Sequence, residues 1–307
     1  MKSFRRFAFV ATIATYLLIF TGGLVRVSGA GLGCPDWPRC FGRWLPPTSV
    51  EQLPPDIDPA QFNFVLAWIE YGNRLLGMLV GLLILITAIW ALNNFRRNPH
   101  IVIPAVAAAV LTAIEGWQGS VVIASHLQPL VVSVHTVLAL VIAGLMVYLT
   151  AEAYRQEKKP AVEVPPGTSR WLAILWLVAV VQVVLGTQMR QTLEVLREQY
   201  PLMAAGGWVT RMGVLNHAHM TLGVLLAAFS LTVALSLWKF RDRFPPLLIQ
   251  SVAWFVVLAL AQLLSGLLFV FFEITPLIQV FHLWLAGLFV GVCLMLYAMT
   301  KQRQVAK

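Results

Sequence analysis

Charge is scarce in this chain. Asp, Glu, Lys and Arg make up 11% of its 307 residues, whereas 59% are hydrophobic and the mean hydropathy is +0.79. A soluble domain carries about a quarter charged residues, so a water-soluble globular protein is excluded and an integral membrane protein is implied. Acidic residues are the rarer sign, 13 against 22 Lys and Arg. No basic, aromatic-rich soluble segment accompanies that excess, so it is not a nucleic-acid patch. Cysteine is almost missing: with three in the chain, neither a disulfide scaffold nor a four-cysteine metal site is available.

What is abundant is apolar length. Eight spans, roughly 7–27, 64–92, 101–124, 129–151, 170–189, 211–238, 247–272 and 277–299, are each near or above the ~20 residues that cross a bilayer as a helix. The first lacks a clean cleavage site and is kept as a helix. Lys2, Arg5, Arg6, Arg96, Arg97, Arg155, Lys158, Lys159, Arg170, Lys239, Arg241, Arg243, Lys301, Arg303 and Lys307 fall on one side of these spans. Positive charge marks the cytoplasmic side, so both termini are expected there.

The chain repeats itself. Pro129 to His135 matches Pro276 to His282 at an offset of 147, and Gly119 matches Gly266 at the same offset. Leu76-Gly77 matches Leu222-Gly223 at 146, which sets His219 opposite Asn73. Gly22 and Arg26 match Gly186 and Arg190 at 164. Matched segments in the same order indicate a duplicated unit. The expected fold is an all-α integral membrane protein of eight transmembrane helices. They form two tandem four-helix bundles, 1–151 and 170–307, related by a pseudo-two-fold axis and joined by a cytoplasmic linker, 152–169.

Cys293 lies within the last span and reads as a packing residue. Cys34 and Cys40 share the first outer loop, Gly33-Cys34-Pro35-Asp36-Trp37-Pro38-Arg39-Cys40. In an oxidising compartment such a close pair usually forms a disulfide. It is either a loop staple or a redox-active pair near a cofactor.

Six histidines occur. His100 and His126 fall in short loops and read as solvated. His219 and His282 lie about two turns inside facing helices, the usual axial arrangement for a low-spin haem in an apolar bundle. A bare metal ion would want more ligands. His217 competes with His219, but residues two apart on a helix differ by about 200° and cannot both serve one iron. The repeat register favours His219; His217 remains the alternative. In the first half, Glu70 and Arg74 are spaced i,i+4 and can pair. They form either a structural ion pair or a carboxylate aimed at a substrate, with the arginine neutralising a propionate. Glu115 is intramembrane too, and its repeat partner Gln262 suggests a place in a polar network.

The run Gly22-Gly23-Leu24-Val25-Arg26, the segment Gly31-Leu32-Gly33-Cys34 with Trp37-Pro38 and Cys40-Phe41-Gly42-Arg43, and Ile69 to Arg74 resemble the haem A synthase family. So does Leu264-Ser265-Gly266 followed by Pro276 and His282. The resemblance covers essentially the whole chain. It implies oxidation of the C8 methyl group of haem O to a formyl group, giving haem A for cytochrome oxidase. It also implies haem B between His219 and His282, haem O near His135 in the first half, and Glu70 as the catalytic carboxylate. A cysteine pair in the first outer loop fits, as does a multi-pass place in a bacterial cell (inner) membrane. One departure stands out: the family normally has histidine where this chain has Asn73. The first half then offers one helix ligand, His135, with His126 a candidate for the sixth position, and haem there is expected to be labile.

Two other classes compete. A b-type membrane cytochrome passing electrons between quinone and an outer-face acceptor would fit the second half alone. However, such a wire usually stacks haems at two depths, and here the histidines of both halves sit near one side. A repeat-built transporter would want paired mid-span Gly/Pro breaks, which are lacking. Haem O synthase and an electron acceptor such as quinone are candidate partners. Apolar outer helix faces permit a homo-oligomer but equally suit lipid.

Overall fold

A computed structural model describes residues 1–160, 162–203, 205–271 and 275–301. Ala161 of the linker, Phe272 at the end of the seventh span, and Arg303 and Lys307 lie outside the described residues. The described residues form helices and no strand: α1 (Lys2–Val27), α2 (Phe64–Phe95), α3 (Pro99–Ala124), α4 (Pro129–Lys158), α5 (Thr168–Gln199), the short α6 (Ala205–Arg211), α7 (Val214–Trp238), α8 (Pro246–Phe271) and α9 (Pro276–Thr300). Eight of these are long and apolar enough to cross a membrane, and the chain is a multi-pass, all-helical membrane protein.

Local sequence explains where the helices start. Pro99, Pro129, Pro246 and Pro276 open α3, α4, α8 and α9, where a missing N–H costs nothing and the fixed φ is already helical. The side chain of Asn63 accepts from the Leu66 amide at 3.1 Å and caps α2. Helix ends differ from the apolar spans. α4 runs on to Lys158 and α5 from Thr168 to Gln199, ten residues past the expected 189. These extra turns carry Glu, Gln, Arg and Lys, which favour helix but do not register as apolar. Arg190 and Glu194 pair there at 2.8 Å across one turn. The non-helical connection between the halves is correspondingly shorter than 152–169.

α1 packs on α2 and α4, and α3 closes the ring against both; α5, α7, α8 and α9 close a second ring in the same way. α9 also packs on α1 and α4 and forms most of the seam. Two apolar cores lie at the end carrying the N-terminus. One gathers Phe4, Ile84, Ile101, Met146 and Leu149, with Ala8, Ala11, Ala105 and Ala108 letting backbones approach. The other gathers Leu172, Leu175, Leu237, Leu248, Phe255 and Leu296. Towards the opposite end, where α2, α4, α7 and α9 begin, the packing opens and the polar side chains collect.

The seam is held by directed contacts. The indole N–H of Trp284 donates to the Tyr16 carbonyl at 3.0 Å. Arg155 of α4 donates to the carbonyls of Ala298 (2.7 Å) and Lys301 (3.0 Å) at the end of α9. Ser133 of α4 meets Thr187 of α5 at 3.2 Å, and Gln191 donates to the Pro129 carbonyl at 2.6 Å. Tyr16 is 7% exposed, and a Cβ placed on Gly291 would lie 1.9 Å from its hydroxyl oxygen. Helix propensity favours Ala over Gly by about 1 kcal/mol, whereas overpacking costs about 1–3 kcal/mol. Gly291→Ala should therefore lower the unfolding temperature of the detergent-solubilised protein, and Tyr16→Phe in that background should recover part of the loss. An unchanged melt would mean that Tyr16 is free to swing out of the seam.

Candidate functional site

The polar residues of the opening end form two sites. In the second ring, His219 is the sixth residue of α7 and His282 the seventh of α9. Their rings face each other with centroids 6.3 Å apart and planes at 62°. Both line an apolar cavity of about 310 Å³. Each histidine turn is pinned by a glutamine on a neighbouring helix. Gln182 donates to the His219 carbonyl at 2.8 Å and Gln262 to the His282 carbonyl at 2.7 Å. The Ser265 hydroxyl lies 2.7 Å from Nδ1 of His282, which leaves Nε2 for a ligand. Glycine makes room for the rings, since a Cβ on Gly186 would sit 3.2 Å from Cε1 of His219. His217, two residues away, is exposed and does not line the cavity.

Arg26 of α1 and Arg190 of α5 also line this cavity. Both approach Glu194, at 3.6 and 2.8 Å, so two cations share one carboxylate. Sequence reasoning used these arginines only as markers of the repeat. Their recurrence at an offset of 164 was nevertheless the signal that could have placed them at a site.

In the first ring, Glu70 and Arg74 meet the cysteine loop. Cys34 and Cys40 are joined in a disulfide, are fully buried, and pack on Ala67 and Phe41. The Cys34 amide donates to Oε2 of Glu70 at 2.8 Å. Nε and Nη2 of Arg74 donate to Oε1 of the same carboxylate. The remaining donors of Arg74 go to the carbonyls of Asp36 (2.9 Å), Arg39 (2.8 Å) and Cys34 (3.3 Å). That is as many hydrogen bonds as a guanidinium has N–H donors. Of the two readings of this pair, a structural ion pair or a substrate-facing carboxylate beside a propionate-binding arginine, the contacts within the chain show Arg74 paired with Glu70 and bonded to loop carbonyls that turn inward around it. Gly33 allows the contact, since a Cβ there would lie 2.5 Å from the Leu66 carbonyl oxygen.

Asn73, one turn inward from Glu70, is held by Thr21 at 2.8 Å. His135, the seventh residue of α4, lies with Nδ1 3.1 Å from Oε1 of Glu115. His126 is exposed in the α3–α4 turn in left-handed backbone, φ 50°, and His100 is exposed in the first turn of α3. Among the described residues no cluster of three His, Cys, Asp or Glu side chains is arranged to hold a bare metal ion.

Residues 5–294 match the COX15-CtaA family, described as "Cytochrome oxidase assembly protein", and the chain belongs to that family. It is similar to the Heme A synthase of Shouchella clausii, 24% identical over 315 residues, covering 98% of this chain and 99% of that one. The Heme A synthase of Halalkalibacterium halodurans is 23% identical over 317 residues, 99% of each chain. That of a Methylobacterium species is 30% identical over 206 residues, 59% of this chain and 56% of the relative.

The loop contacts make a prediction that does not depend on any ligand. Charge-assisted hydrogen bonds are worth roughly 1.5–3 kcal/mol each. Gly33→Ala, which pushes the loop off α2, and Arg74→Lys, which removes the planar fork, should both expose the disulfide. Timed treatment with a thiol reductant followed by alkylation and intact-mass analysis should show Cys34–Cys40 opening several-fold faster than in the wild type. Equal rates in all three proteins would mean that α2 does not hold the loop.

Proposed function

We propose that this protein is a haem A synthase: it oxidises the C8 methyl group of haem O to a formyl group in the first ring, with a resident haem B in the second. The observation that carries this reading is the facing pair His219 and His282. Their ring centres lie 6.3 Å apart across the apolar cavity, so these two imidazoles would hold the haem iron between them. Apolar walls suit a porphyrin, and Arg26 and Arg190 supply cations for its propionates. When bound, haem B supplies one-electron transfer between the substrate and a membrane acceptor such as quinone.

The protein's own groups divide the remaining work. His135 holds the substrate iron from one side. Asn73, the repeat counterpart of His219, carries an amide in place of the family's imidazole, which would keep the substrate five-coordinate or weakly six-coordinate and able to leave. Glu70 keeps about one lone pair, on Oε2, beyond the three bonds it accepts from Cys34 and Arg74. It is the carboxylate that stabilises positive charge developing at the methyl carbon, or takes a proton from attacking water. Each hydroxylation by water releases two electrons and two protons, and the gem-diol then loses water to leave the formyl group. Arg74 and the disulfide loop hold Glu70 in one orientation. The two halves are related as a duplicated unit, both termini are cytoplasmic, and the chain lies in the cell membrane, where haem O synthase would supply its substrate.

Haem extraction and chromatography from cells that express the chain with a source of haem O test the activity. Haem A should appear only with the chain present. Glu70→Gln should abolish haem A while sparing haem B, whereas haem O left unconverted by the wild type would overturn the synthase reading. His219→Ala or His282→Ala should each remove the low-spin haem absorbance of the purified protein, and His217→Ala should keep it. Loss with His217→Ala and retention with His219→Ala would reverse the ligand assignment.

A further inference from the structure

The two rings use the same pair of helix positions for opposite jobs. On α8, Gln262 holds backbone, donating to the His282 carbonyl at 2.7 Å, and Ser265, three residues on, meets the imidazole at 2.7 Å. At the offset of 147, Gln262 corresponds to Glu115 and Ser265 to Gln118. On α3 the assignment is exchanged. Gln118 holds backbone, donating to the Val131 carbonyl at 3.2 Å, and Glu115 stands beside the imidazole, with Oε1 3.1 Å from Nδ1 of His135 but off the line of a hydrogen bond. The second oxygen of Glu115 and Nδ1 of His135 are both buried without a hydrogen-bond partner, so each is the nearest group available to the other at 3.1 Å between Oε1 and Nδ1. Gly119, one turn further, faces Cε1 of His135 at 4.0 Å from an added Cβ, as Gly266 faces His282 at 3.7 Å. The histidines are equivalent in setting and differ in what touches Nδ1: a neutral hydroxyl in one ring, a carboxylate in the other.

We propose that Glu115 is a positioning residue that makes His135 a stronger donor to the substrate iron than His282 is to the resident haem. This rests on the reading that His135 holds haem O. A turn of the ring would give the carboxylate its Nδ1–H; that bond would fix the tautomer, present Nε2 to the metal and raise the basicity of the ring, as carboxylate–histidine–metal arrangements do generally. A hydroxyl orients the ring with much less polarisation. Electron density pushed through His135 favours oxidised states of the iron in the half from which the substrate's electrons must leave. The neutral partner of His282 leaves the second haem easier to reduce. The direction of electron flow, from the first ring to the second, would thereby be built into two side chains, Glu115 of α3 and Ser265 of α8, whose repeat positions are one helical turn apart.

The full chain in detergent, reconstituted with haem O and reduced, tests this by resonance Raman spectroscopy of the iron–histidine stretch of the five-coordinate haem. In the wild type this band should lie above that of haem O with 2-methylimidazole in the same detergent. Coincidence of the two would overturn the proposal without any variant being needed. Glu115→Gln should lower the band and raise the midpoint potential of the first-ring haem, and Glu115→Asp, which keeps the carboxylate, should stay close to the wild type. The low-spin spectrum of the second ring reports intact folding in each variant. An unmoved band and potential in Glu115→Gln would sink the tuning role. A band that survives His135→Ala would instead show that the site reading beneath it is wrong.

Discussion

A polar side chain inside a membrane-spanning bundle has no water to fall back on, so its partner must come from the protein. In this molecule that constraint fixes the depth of His135, His219 and His282. Gln182, Gln262 and Gln118 each reach across to a carbonyl of an adjacent helix, at or one turn before a histidine. Those bonds set the axial register of α7, α9 and α4 against their neighbours. Apolar contacts between helices would tolerate sliding, because lipid tails and leucines are alike in polarity. The glutamines therefore do for the bundle what strand pairing does for a sheet.

The same constraint explains the hydrogen-bonded loop. Glu70 is 5% exposed, and a carboxylate so placed needs both a cation and amide donors nearby. Arg74 supplies the first and the Cys34 amide the second. The disulfide keeps the loop carbonyls converging on Arg74, so loop, arginine and carboxylate are one unit. Across the seam, Ser133 and Thr187 link the helix carrying His135 to the helix that lines the cavity of His219 and His282. The two sites consequently share a polar boundary as well as a packed one.

Much of this was readable from the chain itself. Eight hydropathy maxima fixed the helices because burial in lipid demands apolar length, and the offset of 147 singled out His135 and His282 as equivalent. Helix ends were less legible, since the charged turns at 152–158 and 190–199 are helical for reasons of propensity and i,i+4 pairing that hydropathy ignores. Glu70 and Arg74 could be paired from spacing, but nothing in spacing says that three loop carbonyls would surround the guanidinium. Glu115 read as a network residue because Gln262 occupies its repeat position; its approach to the imidazole depends on how α3 rotates against α4, which only packing decides. Arg26 was visible as a repeated residue, yet its place in the cavity of the other ring depends on how α1 meets the second bundle.

The separation of packed cores from hollow ends bears on how such a protein is made. Phe4, Ile84, Met146 and Leu149 in one ring, and Leu172, Leu237, Phe255 and Leu296 in the other, are buried by one another and not by any guest. Helix assembly at that end can therefore proceed on apolar packing alone. The packed end can thus serve as the scaffold on which the polar end is set.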